Sequence, residues 1–387
     1  MKLDPIALAI PFFFVLIGLE LVMARIGRRS VYRFTDAYSD LGCGIGQRVV
    51  LLLFEAGLLA FYAFVYAHGR LVTFAPGSPW PWIIALVGVD LGYYWWHRLS
   101  HEINLMWAVH VVHHQSEDYN LAVALRQAIL SPATVMPFYL PLAVLGVPMP
   151  VFFLMNAAST LYQFWIHTEL VERMGILERV VNTPSLHRVH HAVNPEYLDR
   201  NYAATFILWD QLFGTLRREE AAPVYGISHP LRSFNPVWAQ VQPLWGLWQA
   251  ARKAPSWREA VRFLLASPAW HPDWLGPKTP VRGVDPDALP KYDVAPGRGR
   301  TVYVFVQLAV MSIVTFLLLN FASALPPQVV AVAVGWVLLS LIAGSALLAR
   351  NRWGVALEAV KLGVVAVAVV GVLLLPRIGP AFQIVMR

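Results

Sequence analysis

The amino-acid sequence predicts an all-α integral membrane protein with about eight transmembrane or re-entrant helices, on three observations. Of its 387 residues 57% are hydrophobic and only 14% charged, with a mean hydropathy of +0.54, a balance outside the range of soluble domains of this size. Several apolar runs are long enough to cross the roughly 30 Å of a bilayer's hydrocarbon. Arginines gather in alternate loops between those runs, as cytoplasmic loops of multi-pass proteins do.

The first run, residues 5–24, follows Lys2 and is closed by Arg25, Arg28 and Arg29 with no A-x-A cleavage site, which predicts a retained anchor. Further runs cover residues 47–67 and 80–96. Residues 131–166 carry no charged side chain. As one helix they would reach about 54 Å, too long for a single crossing, and Gly146-Val147-Pro148-Met149-Pro150 breaks them in the middle, so a hairpin of two short helices is expected. Three more runs, 301–322, 327–349 and 354–375, close the chain. Arg25, Arg28, Arg29 and Arg33 follow the first run and Arg350 and Arg352 the seventh, while residues 68–79 hold only Arg70 and residues 323–326 no charge. That alternation puts both termini outside and every histidine cluster on the cytoplasmic side.

Between these blocks, residues 217–300 are rich in proline and tryptophan, including Trp238, Trp245, Trp248, Trp257, Trp270 and Trp274. They are expected as helices lying along the headgroups on the cytoplasmic side. The domain reading is therefore a membrane-embedded catalytic part at 1–216, this interfacial segment, and a three-helix region at 301–387. The net charge of +7 sits in short loops rather than one patch, which fits orientation and argues against a nucleic-acid partner. The single cysteine, Cys43, excludes an internal disulfide and a thiolate metal cage. Gly42, Gly44 and Gly46 lack the spacing and strand context of a dinucleotide loop, and no haem motif is present.

Nine of the twelve histidines are clustered. His97 and His101 are spaced H-x3-H, His110, His113 and His114 form H-x2-H-H, His187, His190 and His191 repeat it, and His167 ends the hairpin. Spacings of three and four bring imidazoles to one side of a helix, and nine ligands exceed what one ion takes, so two metal ions are expected. His68, His229 and His271 stand alone and are read as ordinary polar residues. No C-x-x-C, H-E-x-x-H or Glu-x-x-His pattern occurs, and imidazole suits iron, zinc, copper and nickel alike, so spacing does not choose the metal. Asp90 lies seven residues before His97, on about the same helical face, and a buried carboxylate in a membrane helix is a catalytic candidate. Gln163, four residues before His167, is expected to face the same site.

The histidine boxes resemble those of the fatty acid hydroxylase and sterol desaturase family. The matching segments begin with His97-Arg98-Leu99-Ser100-His101-Glu102, Ser116-Glu117-Asp118-Tyr119-Asn120-Leu121 and Ala124-Leu125-Arg126-Gln127. They continue through Tyr162-Gln163-Phe164-Trp165-Ile166-His167-Thr168-Glu169, Asn182-Thr183-Pro184-Ser185, His187-Arg188-Val189-His190-His191 and Trp209-Asp210-Gln211-Leu212-Phe213-Gly214-Thr215. The second and fourth segments are most like the branch that acts on alkylglycerol ether lipids. The resemblance implies two iron ions, with zinc a common replacement on purification. It also implies dioxygen, a membrane lipid substrate, and an external reductant, either a reduced pterin such as tetrahydrobiopterin or a ferredoxin or cytochrome. Oxygen would enter the carbon next to the ether oxygen, releasing a fatty aldehyde and a glycerol derivative. Hydroxylation or desaturation of a sterol, fatty acyl chain or polar headgroup is the alternative. Glu102, Glu117 and Asp118 are placed to support the ligands from behind. After the last histidine pair the family has a glycine and a basic residue where this chain has Ala192-Val193-Asn194, which puts the substrate-facing wall in question.

Overall fold

The computed structural model describes residues 5–277 and 291–385. Residues 1–4, the part of the Trp-rich segment at 278–290, and residues 386–387 lie outside the described residues. Among those described, regular structure is helical, with two isolated antiparallel bridges and no strand.

The first helix, α1 (Pro5–Ile26), keeps Pro11 inside it, as membrane helices tolerate. It is followed by α2 (Phe34–Leu51) and α3 (Glu55–Gly69). The run expected at 47–67 is thus divided: α2 and α3 meet at a 61° bend. No proline or glycine marks that break in Leu52-Leu53-Phe54. The first half of α2 also escaped the hydropathy pattern because it carries buried acids, Asp36 and Asp40. Next comes α4 (Trp80–Glu102), which extends more than a turn beyond the apolar run and so carries His97 and His101. A one-residue link leads to α5 (Asn104–His114), which holds the second box.

The charge-free stretch is the expected hairpin, α6 (Ser131–Val144) and α7 (Met149–Trp165). Gly146 turns it at φ +85°, a left-handed conformation that favours glycine, and a Cβ there would strike the Val72 carbonyl. The third box is the short, fully buried α8 (Pro184–His191), started by Pro184 at its first position. After α9 (Leu208–Leu212) come α10 (Pro236–Ala251) and α11 (Trp257–Leu265). Asn235 caps α10 by accepting from the Val237 and Trp238 amides, and Ser256 caps α11 at the Glu259 amide. The chain closes with α12 (Arg298–Phe321), α13 (Pro327–Leu348) and α14 (Arg352–Val385).

Two apolar cores flank the histidine boxes. One packs α2 against α12 and α13 through Tyr38, Val49, Met311, Val337 and Leu341. The other packs α3, α4, α6 and α7 through Tyr62, Val89, Tyr139, Leu142 and Phe152, with Tyr62 stacked on Phe152 at 4.5 Å. The glycines of α2 explain its close contacts: Gly42 abuts Pro236 and Leu341, and Gly44 lies against the Leu125 carbonyl.

By length and composition, three of the described helices can cross a membrane: α1, α12 with its following turn, and α13. The bent pair α2–α3 makes a fourth if it is one span. This is fewer than the eight expected, for physical reasons. Helices α6 and α7 have 14 and 17 residues and form a hairpin rather than two full crossings, and α4 carries Asp90, His97 and His101.

The Gly44 contact gives a test. Gly44→Ala should lower the melting temperature in detergent by about 3 °C or more, because a new methyl meets backbone that cannot yield locally. Gly57→Ala, with nothing within 4 Å, should leave it unchanged or raise it. Equal melting temperatures for the two variants would show that α2 does not depend on this approach.

Candidate metal centre

Three helices, α4, α5 and α8, and the turn after α7 deliver the nine clustered imidazoles, and the structure gathers all nine into two adjoining groups. His97, His101, His110, His114 and His190 form one, and His113, His167, His187 and His191 the other, each with one ligand atom per residue within 4.8 Å of the rest. Helical geometry makes the division. In each H-x2-H-H triplet the first and last residues, four apart, point one way and the middle residue, three on from the first, points another. Helix α5 therefore gives His110 and His114 to the first group and His113 to the second, while α8 gives His187 and His191 to the second and His190 to the first. His97 and His101, again four apart, complete the group of five, and His167, two residues beyond α7, completes the group of four. Each group matches the ligand capacity of one first-row metal ion.

The protonation of the rings is fixed from outside. The Nδ1 atoms of His97, His113, His167 and His190 lie 2.8, 2.9, 2.7 and 3.0 Å from the carbonyls of Tyr202, Arg126, Gln163 and Arg200. A carbonyl only accepts, so each Nδ1 carries the proton and each Nε2 turns a lone pair inward. His113 Nε2 and His167 Nε2 then face each other at 3.3 Å, lone pair against lone pair. Three further Nε2 atoms, of His101, His190 and His191, are buried without any hydrogen-bond partner. Such a convergence of unpaired acceptors fits cations and no neutral filling. Burial also keeps the rings neutral: it pushes His113 down to about 4 and His190 down to about 3.

A second layer of buried polar groups holds those carbonyls. Asp210 accepts from the amides of Tyr202 (2.8 Å) and Ala203 (2.9 Å) and from the Thr215 hydroxyl (2.6 Å). The Tyr202 carbonyl then orients His97. Arg126, also buried, donates to the Val112 carbonyl, to Ser39, to Asp40 at 3.0 Å and to Gln115, and its own carbonyl orients His113. Asn201, at φ +56°, ties Leu186 in α8 to Arg217 through its side chain. Sequence reading assigned none of these a role, although Arg126 and Asp210 fall within the segments quoted above. Their signal was a charge in the middle of an apolar or aromatic context.

The acids singled out from the sequence stand apart from the imidazoles. The Asp90 carboxylate is taken by the amides of Thr205 and Phe206 and by the Trp209 indole, at 2.8, 3.1 and 2.8 Å. It braces the same loop as Asp210. Glu102 is half-exposed and bound to Arg98 at 2.9 Å. Asp118 accepts from Arg33 and Lys291, and Glu117 from the Tyr292 amide, so both fasten the chain's later segment over the loop after α5. Gln163 contributes its carbonyl to His167, while its side chain donates to Ser159. His68, His229 and His271 join neither group.

A cavity of about 320 Å³ leads to the imidazoles. His110, His113 and His167 line one part of it, Tyr93 and Trp96 adjoin them, and Phe13, Phe152 and Phe164 line the apolar remainder among helices α1, α2, α6 and α7. Residues 192–194 are not in that lining. Asn194 instead binds Ala222 and Val224, and thereby holds the strand-like segment that stacks Tyr225 on Tyr119 at 4.8 Å, beside His191. The departure from the family pattern thus falls on the polar cover of the centre rather than on the cavity wall.

Comparison with known proteins agrees with this geometry. The family model described as "Fatty acid hydroxylase" matches residues 82–215, from α4 to just past α9. The chain is similar to alkylglycerol monooxygenase of Homo sapiens, 39% identical across 80% of this chain and 69% of that protein. It is also similar to the alkylglycerol monooxygenases of Xenopus tropicalis, 38% identical across 74% of this chain and 63% of the relative, and of Danio rerio, 39% identical across 68% and 59%. The chain thus spans between about three-fifths and seven-tenths of the length of these relatives. No solved structure matches.

The depressed imidazoles set a pH dependence. Unfolded histidines take up protons as pH falls through about 6.5, whereas folded His113 and His190 refuse them until about 4 and about 3. The unfolded state then binds more protons, so the folded state loses stability as pH is lowered from about 6.5 towards 4. Chelator-treated protein should show a melting temperature that is flat above pH 7 and falls steadily between pH 6.5 and 4.5. A flat profile over that window would show that the rings are open to solvent.

Proposed function

The chain belongs to the fatty acid hydroxylase family, a membrane monooxygenase by its kinship with the alkylglycerol monooxygenases, and from that premise we propose that it oxidises alkylglycerol-type ether lipids with dioxygen at two histidine-held iron ions. The observation that carries this reading is the largely apolar cavity ending on His110, His113 and His167, because such a cavity receives a hydrocarbon chain at the imidazoles.

In this reading His97, His101, His110, His114 and His190 hold one ion and His113, His167, His187 and His191 the other. Iron, when bound, would supply the reduction of dioxygen and the oxidising power to break a C–H bond. The chain's own residues do the rest. Phe13, Phe152 and Phe164 receive the alkyl chain and exclude water. Tyr93 and Trp96, packed on His97 at 5.1 and 6.0 Å, keep the reacting end of the cavity narrow and apolar. The carbonyls of Tyr202, Arg126, Gln163 and Arg200 hold the Nδ1 protons, so every inward nitrogen of those four rings stays a ligand. Asp90 and Asp210 act by positioning the loop that presents the Tyr202 carbonyl. Replacing one C–H hydrogen next to the ether oxygen by hydroxyl gives a hemiacetal, which collapses to a fatty aldehyde and a glycerol derivative; the second oxygen atom leaves as water with two electrons and two protons. Those electrons come from an external donor, a reduced pterin such as tetrahydrobiopterin or a redox protein.

The same reading puts the centre on the cytoplasmic side, supported by Arg25, Arg28, Arg29 and Arg33 after α1 and by Arg350 and Arg352 between α13 and α14. Eight membrane-embedded segments are then reached by counting α2–α3 as one span, both arms of the α6–α7 hairpin, and α4 and α14 with the three clear spans.

Anaerobically purified protein should contain two irons per chain and, with an alkylglycerol, a reduced pterin and labelled dioxygen, should release aldehyde through a labelled intermediate. A desaturase would leave no label in the lipid. His113→Ala and His190→Ala should each lower turnover to background, and retained turnover would remove those residues from the ligand set. Asp210→Asn should leave the nine imidazoles in place yet weaken metal retention about 10- to 100-fold against a chelator. Unchanged retention would mean that the loop needs no such support.

A further inference from the structure

Behind the metal-bearing helix lies a second concavity. A groove of about 450 Å³ runs between α5 and α10, lined by Val109, Val112, Leu130, Val241, Leu244 and Trp245. Its polar lining residue, Gln240, is already engaged, accepting from the Ile129 amide at 2.9 Å and donating to the Gln127 carbonyl at 3.0 Å. The groove therefore suits a hydrocarbon chain. At its mouth Trp245 and Trp248 stack at 4.7 Å and are 47% and 45% exposed, and the Arg252 guanidinium lies 4.4 Å over the Trp248 ring. Exposed Lys253 follows, and α11 adds Arg258 over Trp257 and Arg262 over Trp270. From residue 236 to residue 265 these four cations meet a single acid, Glu259. Helix α10 also packs on α2 and on α13, the latter long and apolar enough to cross a membrane, which would bring the groove to a bilayer's edge. Indole with guanidinium is the pairing found at headgroup depth.

We propose that this groove binds an anionic membrane phospholipid, with an acyl chain along Val109, Val112 and Leu244 and the headgroup on Arg252 and Lys253. A net negative headgroup is required because the mouth carries an excess of positive charge, which a zwitterion matches poorly. The occupant would lie along Val109 and Val112 of α5, each one residue before His110 and His113, which line the other cavity. The inference rests on reading α10 and α11 as lying at the membrane surface and not on the oxidation itself.

Full-length protein, delipidated in detergent and incubated with phosphatidylglycerol or phosphatidylcholine, should retain one phosphatidylglycerol per chain by native mass spectrometry, with at least about tenfold preference. Arg252→Gln with Lys253→Gln, both at exposed positions, should cut phosphatidylglycerol retention roughly tenfold and leave phosphatidylcholine unchanged. Val241→Trp should fill the groove and abolish retention of both, with elution volume and metal content matching the parent. Equal retention of the two lipids, or retention untouched by the double variant, overturns the proposal. So does a dimer that Val241→Trp dissociates, since a second copy then fills the groove, and so does displacement by an alkylglycerol, which would make it a substrate site. Lipid counting needs no turnover, so a chain inactive on ether lipids that still retains phosphatidylglycerol would overturn only the enzymatic reading.

Discussion

Neutral imidazoles whose lone pairs converge in a buried space are the constraint on which the rest of this molecule depends. His113 and His167 oppose lone pairs at 3.3 Å, and the Nε2 atoms of His101, His190 and His191 are buried without partners. Each orphaned buried acceptor costs about 1–3 kcal/mol, so together they rival the net stability of a whole domain, about 5–15 kcal/mol. Cations relieve that cost directly, which couples filling of the centre to stability. A cluster of this kind persists only if the surrounding chain forbids the rings to turn away.

That restraint comes from the least regular parts of the chain. Three of the four carbonyls that fix the inward nitrogens belong to Arg126, Arg200 and Tyr202, in segments outside helices, and only Gln163 is helical. Irregular segments cannot satisfy or orient their own backbone groups, so buried side chains do it for them: Asp90 and Asp210 for residues 202–206, Arg126 with Asp40 for the turn beyond α5, Asn201 for the crossing of α8 and residue 217. Glu20 serves similarly from within α1, accepting from Tyr32, from Thr168 beside His167 and from the Leu121 amide. Removing one partner of a buried ion pair such as Arg126–Asp40 is costly, about 3–5 kcal/mol, because the other charge is left uncompensated. The polar interior is therefore not solvent brought into a membrane protein but a frame for the imidazoles.

How much of this was legible in the sequence follows from what kind of signal each feature leaves. Spacings of three and four announced that His97, His101, His110, His113, His114, His187, His190 and His191 could converge, and Gly146 with Pro148 marked the hairpin turn. Division of each triplet between two groups was implicit in the same spacing, since the third and fourth residues along a helix diverge by about 100°. The bend between α2 and α3 left no mark, because Leu52-Leu53-Phe54 is compatible with unbroken helix and only tertiary packing bends it. Asp90 showed the opposite failure. Its helical register relative to His97 was right, but which backbone amides would reach it from a loop 115 residues later is a matter of long-range contact that periodicity does not encode. The use of Gly42, Gly44 and Gly46 in close helix packing emerges only once Pro236, Leu125 and Leu341 are seen against them.

The partition of the centre between an apolar and a polar side bears on how relatives of this fold could differ. His110, His113 and His167 open to the apolar cavity, whereas His191 is covered by Tyr119 and, behind it, Tyr225. The segment bearing Tyr225 hangs on Asn194 and on the backbone pairing of Ala192 and Val193 with Tyr225 and Val224. Changes just after the last histidine pair therefore remodel the polar cover without touching the cavity lined by Phe13, Phe152 and Phe164. Because two separate sets of residues line these two sides, either can vary while all nine imidazoles and the carbonyls that aim them stay fixed.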